Sequence, residues 1–114
     1  MLSDSADQAL NRVFEALAND KRRGILDTLA FRPATVSQLA EEHGMSLPAI
    51  HRHIRTLEDA QLIRRCKVGR TNFVALQRKY LAAAQTWMAQ YRLDWGNDEE
   101  TLENYIASFG KESG

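Results

Sequence analysis

The sequence predicts a mainly α-helical domain that carries one small β-hairpin. Apolar residues recur at helical spacing in five or six segments, and several of these segments follow a residue suited to helix capping. Two short runs rich in β-branched and aromatic residues, joined by Gly69-Arg70, favour a pair of strands. A chain of 114 residues, 44% of them apolar and 26% charged, suits one domain with its own core.

The first two predicted helices span about residues 6–18 and 20–31. The apolar stripe of the first helix repeats at intervals of three and four residues, as expected for a helix with one buried face. Asn19 is placed to cap the second helix, whose first turn is strongly basic. The cations of that turn could contact a phosphate or an acidic neighbour, or stay in solvent. They are Lys21, Arg22 and Arg23.

Residues 35–59 contain the next two predicted helices, which are short and joined by a tight turn. The turn holds His43-Gly44, and glycine suits the left-handed residue that follows a helix end. Ser46 can cap the second helix, where Pro48 costs little because its missing N–H would have no partner there. The apolar side of this helix consists of Ile50, Ile54 and Leu57, and the opposite side carries Arg52 and Arg55. The arrangement predicts a helix-turn-helix.

A hairpin is predicted directly after this helix, over about residues 62–76. Basic side chains are concentrated toward its tip, at Arg65, Lys67 and Arg70. A helix-turn-helix followed by a basic hairpin is a winged helix-turn-helix, in which the hairpin is the wing. Because an isolated hairpin is marginally stable, the wing is expected to pack on the helices.

Two further helices are predicted after the wing, over about residues 77–92 and 98–109. The first of them has an aromatic-rich apolar face. Asn97 is suited to cap the second, and Glu100 follows it at the spacing of a capping box. The apolar stripe of the last helix consists of Leu102, Tyr105, Ile106 and Phe109.

The apolar faces of the outer helices are too extensive for one protomer of this length to bury. We therefore predict a homodimer in which the helices over about residues 6–18 and 77–92 pack on their copies. The second helix of a helix-turn-helix is its recognition helix. A dimer would also place its two recognition helices about 34 Å apart, which is one turn of B-DNA. The predicted interface residues are Leu10, Val13, Phe14, Leu17, Leu81, Ala84, Met88 and Tyr91.

A series of short motifs occurs together in one known family. The motifs occupy residues 17–26, 36–40, 46–54 and 60–63. The first, LANDKRRGIL, is similar to L-A-D-P-x-R-R-x-I-L, and the third, SLPAIHRHI, is similar to S-Q-P-A-V-S-R-H-L. Over about residues 10–92 the chain thus resembles the ArsR-type transcriptional repressors, and Trp87–Ile106 resembles a branch without an obvious metal site. The resemblance implies a dimeric winged-helix repressor that binds an imperfectly palindromic operator near a promoter.

Binding to double-stranded DNA gives each residue of the basic face a role. Arg52 is best placed for a bidentate guanine contact, with a phosphate contact as the alternative. Arg55 and the wing cations are expected to contact phosphates. Leu47 and His51 stand where the family commonly has glutamine and serine, so the operator is expected to differ from those of relatives. The predicted DNA-binding residues are Ser46, Leu47, Pro48, Ala49, His51, Arg52, Arg55, Lys67 and Arg70.

Charge is unevenly distributed along a chain whose net charge is zero. Residues 46–79 hold eight basic and two acidic side chains, whereas residues 94–114 hold one basic and six acidic side chains. Two ordinary solvated faces would be the simpler explanation. Because the positive segment coincides with the helix-turn-helix and the wing, the pattern favours a nucleic-acid-binding surface.

No metal site, cofactor or catalytic site is predicted. Metal-binding members of the family carry C-x-C where this chain has Thr35 and Ser37, whose hydroxyls are poor ligands for soft metals. Residues 79–92, where other members place ligands, contain no His, Asp, Glu or Cys. His53 is expected to be a partly buried structural residue, and Cys66 a small, half-buried residue of the wing. No Gly-rich phosphate loop and no nucleophile with a nearby base supports an enzyme.

The sequence also bears on location and on competing functions. It contains no apolar run long enough to span a membrane and no secretory signal, and its single cysteine cannot form an intrachain disulfide, so a cytoplasmic location is expected. Two alternatives to the simple repressor stay open. One is a small-molecule-responsive repressor with an effector pocket formed by Trp87, Tyr91 and Trp95. The other is a winged helix used for contact with another protein.

Overall fold

The structure, a computed structural model, describes residues 4–91 and 98–112. Within these residues it forms six α-helices and three β-strands. In chain order they are α1 (Asp4–Leu17), α2 (Asp20–Leu29), β1 (Ala34–Thr35), α3 (Val36–Glu42), α4 (Leu47–Asp59), β2 (Ile63–Val68), β3 (Thr71–Leu76), α5 (Lys79–Ala89) and α6 (Asp98–Glu112). The predicted winged helix-turn-helix is confirmed, with α3 and α4 as the helix-turn-helix and β2 and β3 as the wing. The predicted cap Asn97 lies outside the described residues.

The core lies behind α4, which packs against α1, α2, α3 and β2. The apolar side of α4 is completely buried, and each of its large side chains contributes about 1.5–3 kcal/mol of burial free energy. Every side chain that is buried within residues 4–91 and 98–112 is apolar. The polar side chains of α4 therefore all keep some contact with solvent, and the helix can present them to a ligand without a change of fold.

The sheet has three strands in the order β1-β3-β2, one more than the predicted wing. Ala34 pairs with Val74 and Thr35 pairs with Phe73, so the residues directly before α3 form a short strand that the sequence did not predict. Gln77 N–H donates to Leu62 O at 2.8 Å, which prolongs the hairpin pairing and delays the start of α5 to Lys79. The extra strand connects the wing to the entrance of the helix-turn-helix.

The basic first turn of α2 closes the C-terminal end of α1. Arg22 donates from Nε to Ala16 O at 2.8 Å and from Nη2 to Glu15 O at 3.1 Å, and Arg23 donates from Nη1 to Leu17 O at 2.7 Å. The last carbonyls of a helix lack intrahelical partners, and cations are favourable beside them. Arg22 and Arg23 therefore bind backbone carbonyl groups of their own protomer. These contacts replace the phosphate or acidic neighbour that the sequence left as alternatives.

Both helices of the helix-turn-helix end in a Schellman motif. After α3, Gly44 has φ of 61°, and Met45 N–H donates to Ala40 O at 2.9 Å. After α4, the same left-handed position is held by Gln61 with φ of 60°, and Leu62 N–H donates to Leu57 O at 3.0 Å. This second motif turns the chain at the end of α4 so that it continues into β2. Gln61 is the one non-glycine residue at positive φ in the described part of the chain.

Replacing Gln61 with glycine should stabilise the protein by about 0.5–1 kcal/mol. The left-handed conformation costs a residue with a Cβ on the order of 1–2 kcal/mol, and the extra freedom of glycine in the unfolded chain offsets part of the gain. Urea denaturation of the variant beside the wild type would measure the change. Gln61→Ala is the matched control, because it removes the same side chain but keeps the strained Cβ. A stabilisation equal to that of glycine in this control would contradict the explanation.

Candidate nucleic-acid interface

The exposed face of α4 is fixed by its cap and by its buried back. The Ser46 hydroxyl accepts from Ala49 N–H at 3.3 Å, and Pro48 stands in the first turn, so the helix begins where the sequence predicts. Leu47, Pro48, Arg52 and Arg55 are exposed, and Ala49 and His51 are partly exposed. At 100° per residue, Pro48, Arg52 and Arg55 lie on the side of α4 opposite its buried stripe, with His51 at the edge of that side, whereas Leu47 and Ala49 stand in the first turn.

The four cations that the sequence predicts to contact DNA are all available to an external anion. Within the described residues, Arg52, Arg55, Lys67 and Arg70 have no acidic partner within 4 Å, and all four side chains are exposed. An anion can therefore approach them without breaking an ion pair of the protomer. Free, exposed guanidinium and ammonium groups beside an exposed helix match the composition of a phosphate-contacting surface.

The wing is a tight hairpin that ends in a two-residue loop. Val68 pairs with Thr71, and Gly69 between them has φ of 62°, which the first central residue of a type II′ turn requires. Lys67 and Arg70 are exposed at this end of the hairpin. The end of the wing therefore presents two exposed cations, one from β2 and one from the loop.

Arg65 does not belong to the free tip of the wing, where the sequence placed it. Its guanidinium donates from Nη2 to Oε1 of Glu58 at 2.6 Å and from Nε to Oε2 at 3.3 Å. This hydrogen bond raises the pKa of Arg65. The bidentate pair joins β2 to the last turn of α4, so Arg65 fixes the wing against the recognition helix. Sequence reasoning missed the pair because its members are seven residues apart across a helix end and a turn.

Cys66 and Phe73 form an outer face of the wing, on which Cys66 is more exposed than the sequence predicts. Cys66 pairs with Phe73 across the two strands, and both side chains are exposed rather than half-buried. The face lies on the side of the sheet opposite to Arg65 and the buried Val74, because successive residues of a strand point to opposite faces.

His53 lies on α4 beside the arginine that closes α1. Its Nδ1 is 3.4 Å from Nη1 of Arg22, and its side chain is partly buried, in accord with a structural role. Burial and then the charges of Arg22, Arg52 and Lys21 lower the pKa of His53 from its ordinary value of 6.5. The neutral imidazole is therefore the form that fits between α2 and α4.

Acidification should destabilise the protein through His53. Because its pKa is lower in the folded chain than in the unfolded chain, the unfolded chain takes up the proton more readily. The stability that the neutral imidazole contributes is complete above pH 6.5 and is lost as the pH falls through the folded pKa. Urea denaturation between pH 7.5 and 5 should show a smaller loss in His53→Gln than in the wild type. Equal losses in the two proteins would contradict the assignment.

The predicted dimer residues divide into two groups. Val13 and Ala84 are each 1% exposed inside the protomer, so they lose no surface on dimerisation and leave the predicted interface. Helical periodicity put them on the correct stripe, but it cannot tell the inner edge of a stripe from the outer edge. Leu10, Phe14, Leu17 and Leu81 are partly exposed, whereas Met88 and Tyr91 are exposed.

Aromatic contacts and a groove lie beside these residues on α1 and α5. The ring of Trp87 lies 5.4 Å from that of Phe14 and 5.1 Å from that of Tyr91, measured between centroids. A largely apolar groove of about 310 Å³ opens next to Trp87. It is lined by Ala6, Leu10, Tyr80, Ala83, Thr86, Trp87 and Gln90. The groove includes one residue of the predicted effector pocket, Trp87, whereas Trp95 lies outside the described residues.

The described residues also bear on metal binding and on membrane spanning. No group of three or more His, Cys, Asp or Glu side chains close enough to hold a metal ion occurs among residues 4–91 and 98–112. In the same part of the chain, no helix is both long and apolar enough to cross a membrane. The hydroxyl of Thr35 accepts from Gln38 N–H at 3.1 Å and completes a capping box for α3.

Known proteins share both the sequence pattern and the fold of this chain. Residues 17–66 match a family described as a helix-turn-helix domain. The transcriptional repressor SdpR of Bacillus subtilis (strain 168) is 30% identical over 89 residues, which are 78% of this chain and 99% of that protein. The structure of the ArsR family transcriptional regulator RHA00566 is 40% identical, with a TM-score of 0.70 over 74% of this chain and 87% of that one. The homodimeric winged helix-turn-helix DNA-binding domain Mb0332 of Mycobacterium bovis is 25% identical, with a TM-score of 0.64 over 85% and 95% of the two chains.

Proposed function

Because the chain belongs to the ArsR family of winged helix-turn-helix transcriptional regulators, which bind DNA, we propose that it is a homodimeric repressor of an imperfect inverted repeat. The observation that carries this proposal is the exposed face of α4. It combines unpaired cations with apolar and imidazole groups that can contact base edges in a major groove. The rigid apolar back of the helix holds that face in place.

The proposed contacts are of two kinds: contacts to bases, which give specificity, and contacts to phosphates, which give affinity and register. Arg52 is the proposed reader of guanine, and Leu47 can contact a thymine methyl group, since its side chain is 52% exposed at the start of α4. Arg55 and Arg70 are proposed to contact phosphates, which set affinity and register without reading sequence. His51 is partly exposed and can donate to N7 or O6 of a purine.

The proposed dimer uses the outer surfaces of α1 and α5. Apolar side chains on these surfaces stay accessible in the protomer, with Met88 and Tyr91 the most exposed on α5. The similar domain Mb0332 is homodimeric, which supports the same assembly here. A two-fold dimer presents two copies of α4 to successive major grooves about 34 Å apart, and this spacing explains why the proposed operator is an inverted repeat.

We further propose that DNA binding by this protein is not controlled by a metal. The hydroxyl of Thr35 already caps α3, and Ser37 has no sulfur or imidazole to offer a soft metal ion. A repressor controlled by a small molecule is the second candidate, and the apolar groove beside Trp87 is the observation in its favour. The groove is lined by no charged side chain, so it has little with which to orient a polar metabolite.

The DNA upstream of the protein's own gene provides the test of the proposed function. Any inverted repeat found there would be labelled and titrated by fluorescence anisotropy, beside a scrambled duplex and at two salt concentrations. We expect a preference of about 1,000-fold or more for the repeat, together with weaker binding at higher salt. Equal affinity for the repeat and the scrambled duplex would instead favour a protein-interaction module. A thermal-shift screen with metabolites and divalent metal ions would test the second candidate and the absence of metal control.

A further inference from the structure

Two side-chain contacts hold α4, one at each border of its exposed face. Nη1 of Arg22, in the first turn of α2, lies 3.4 Å from Nδ1 of His53. The guanidinium of Arg65, in β2, donates to the carboxylate of Glu58 at 2.6 Å and 3.3 Å. At about 100° per residue, His53 lies about 100° from Arg52 in one direction around α4, and Glu58 lies about 120° from it in the other. The first turn of α2 and the wing therefore border the exposed face of α4 from opposite sides.

A helix that lies in a major groove has a phosphate strand along each of its borders. The groove of B-DNA is about 12 Å wide, and an α-helix with its side chains measures about 10–12 Å across. Both strands therefore pass within reach of residues beside the helix. The proposed phosphate contacts of the wing serve the strand on the side of β2. A contact with the other strand has to come from the side of α2.

Lys21 is the cation of the first turn of α2 whose charge stays free. The guanidinium groups of Arg22 and Arg23 bind backbone carbonyls of α1. Lys21 is exposed, and among the described residues it has no acidic partner within 4 Å. Asp20 precedes it, but consecutive residues of a helix do not face each other. Lys21 can therefore meet an external anion without breaking an ion pair of the protomer.

The contact between α2 and α4 also fixes the position of Lys21. Lys21 directly precedes Arg22, whose guanidinium reaches His53. Burial and then the charge of Arg22 lower the pKa of His53. The charges of Arg52 and Lys21 lower it further, so the ammonium group lies near the border of the exposed face. The amides of Lys21 and Arg22 both donate to Oδ1 of Asn19, at 2.9 Å and 3.2 Å, so the ammonium group rather than the end of the helix is free for an anion.

We propose that Lys21 is a further phosphate-contacting residue, which binds the strand on the opposite side of the major groove from the wing. The inference rests on the proposed function and adds a third element, α2, to its contacts with DNA. Each half-site is then held on both of its strands. Contacts on two strands fix the tilt of α4 in the groove, whereas contacts on one strand leave the helix free to pivot about them. Lys21 thereby helps to place Arg52 against its base, although it reads no base itself.

Lys21→Ala should lower the affinity for operator and random DNA alike, by about 3- to 10-fold, because one hydrogen bond to a phosphate is lost. The slope of log affinity against log salt should become shallower by about one. Arg32→Ala is the matched control. Arg32 is exposed beyond the other end of α2, where it lines a surface pocket together with Glu41 and Glu42. Phosphates are repelled by these carboxylates, so the control should keep the affinity and the salt slope of the wild type.

Operators that carry one neutral methylphosphonate in place of a phosphate would locate the contact. One such substitution should weaken the wild type by the same factor as Lys21→Ala and have no effect on the Lys21→Ala protein. A second position should show this coupling with Arg70→Ala, and the two positions should lie on opposite strands across one major groove. The inference is overturned if no position is coupled to Lys21, or if that position lies on the same strand as the one coupled to Arg70.

The wild-type protein separates this inference from the function on which it rests. If the wild type prefers the operator to a scrambled duplex and Lys21→Ala binds the operator equally well, the α2 contact is wrong and the proposed function stands. Equal binding of the two duplexes by the wild type would overturn the proposed function, and the inference with it.

Discussion

Replacing Met88 with glutamate should dissociate the proposed dimer and lower operator affinity by about 100-fold or more. Met88 is 51% exposed, so the change leaves the protomer core intact but places a charge in the proposed apolar interface. A monomer would bind one half-site at a time and would lose the high effective concentration that joins the two recognition events. Sedimentation velocity and anisotropy titrations on the same preparations would measure both effects.

Ala89→Glu is the matched control for this variant. Ala89 is the last residue of α5, is exposed, and lies about 100° around the helix from Met88, on the side remote from the buried Ala84. It should keep both the dimer and the operator affinity. A dimeric Met88→Glu protein with full operator binding would show that the dimer uses another surface.

Arg52→Ala should lower operator affinity and erase the preference at one base position. A bidentate contact between arginine and guanine provides about 1–3 kcal/mol of discrimination, which corresponds to about 5- to 150-fold in affinity. Arg52 is exposed and has no acidic partner within the described residues, so its removal disturbs no ion pair of the protomer. Titrations against operators substituted at each position would identify the base that it reads.

Arg70→Ala serves as the comparison for Arg52→Ala. Arg70 is proposed to contact a phosphate from the tip of the wing, so its loss should weaken operator and random DNA alike. The slope of log affinity against log salt should become shallower by about one. Equal losses on operator and random DNA for Arg52→Ala would show that Arg52 also contacts only phosphate.

Local patterns predicted the helices and the wing because each has a signal of its own. The buried stripe of α4, the cap at Ser46 and the glycine at the hairpin tip are all visible over a few residues, and the structure follows them. β1 has two residues, too few to show the alternation of a strand, and it exists because β3 pairs with it. Pairing of this kind depends on tertiary structure and leaves no local signal.

The candidate site was predictable in its helix and less so in its wing. Basic residues on one side of α4 follow from periodicity alone, because the other side is apolar. Whether a cation is free depends on what the fold brings to it, and Glu58 meets Arg65 because the turn at Gln61 directs β2 back along α4. Likewise, periodicity predicts the stripe of α6 but not whether the fold buries it, and its four side chains are exposed.

The bidentate pair of Arg65 and Glu58 has a consequence for the DNA as well as for the protein. Because the pair joins β2 to α4, the recognition helix and the wing form one stiff unit, with a fixed span between the proposed base contacts of α4 and the proposed phosphate contacts of the wing. A stiff unit cannot adjust its span to each sequence, so the duplex has to supply the fit through bending and groove width. Operators should therefore favour easily deformed base steps between the two contact regions, at positions that no side chain touches.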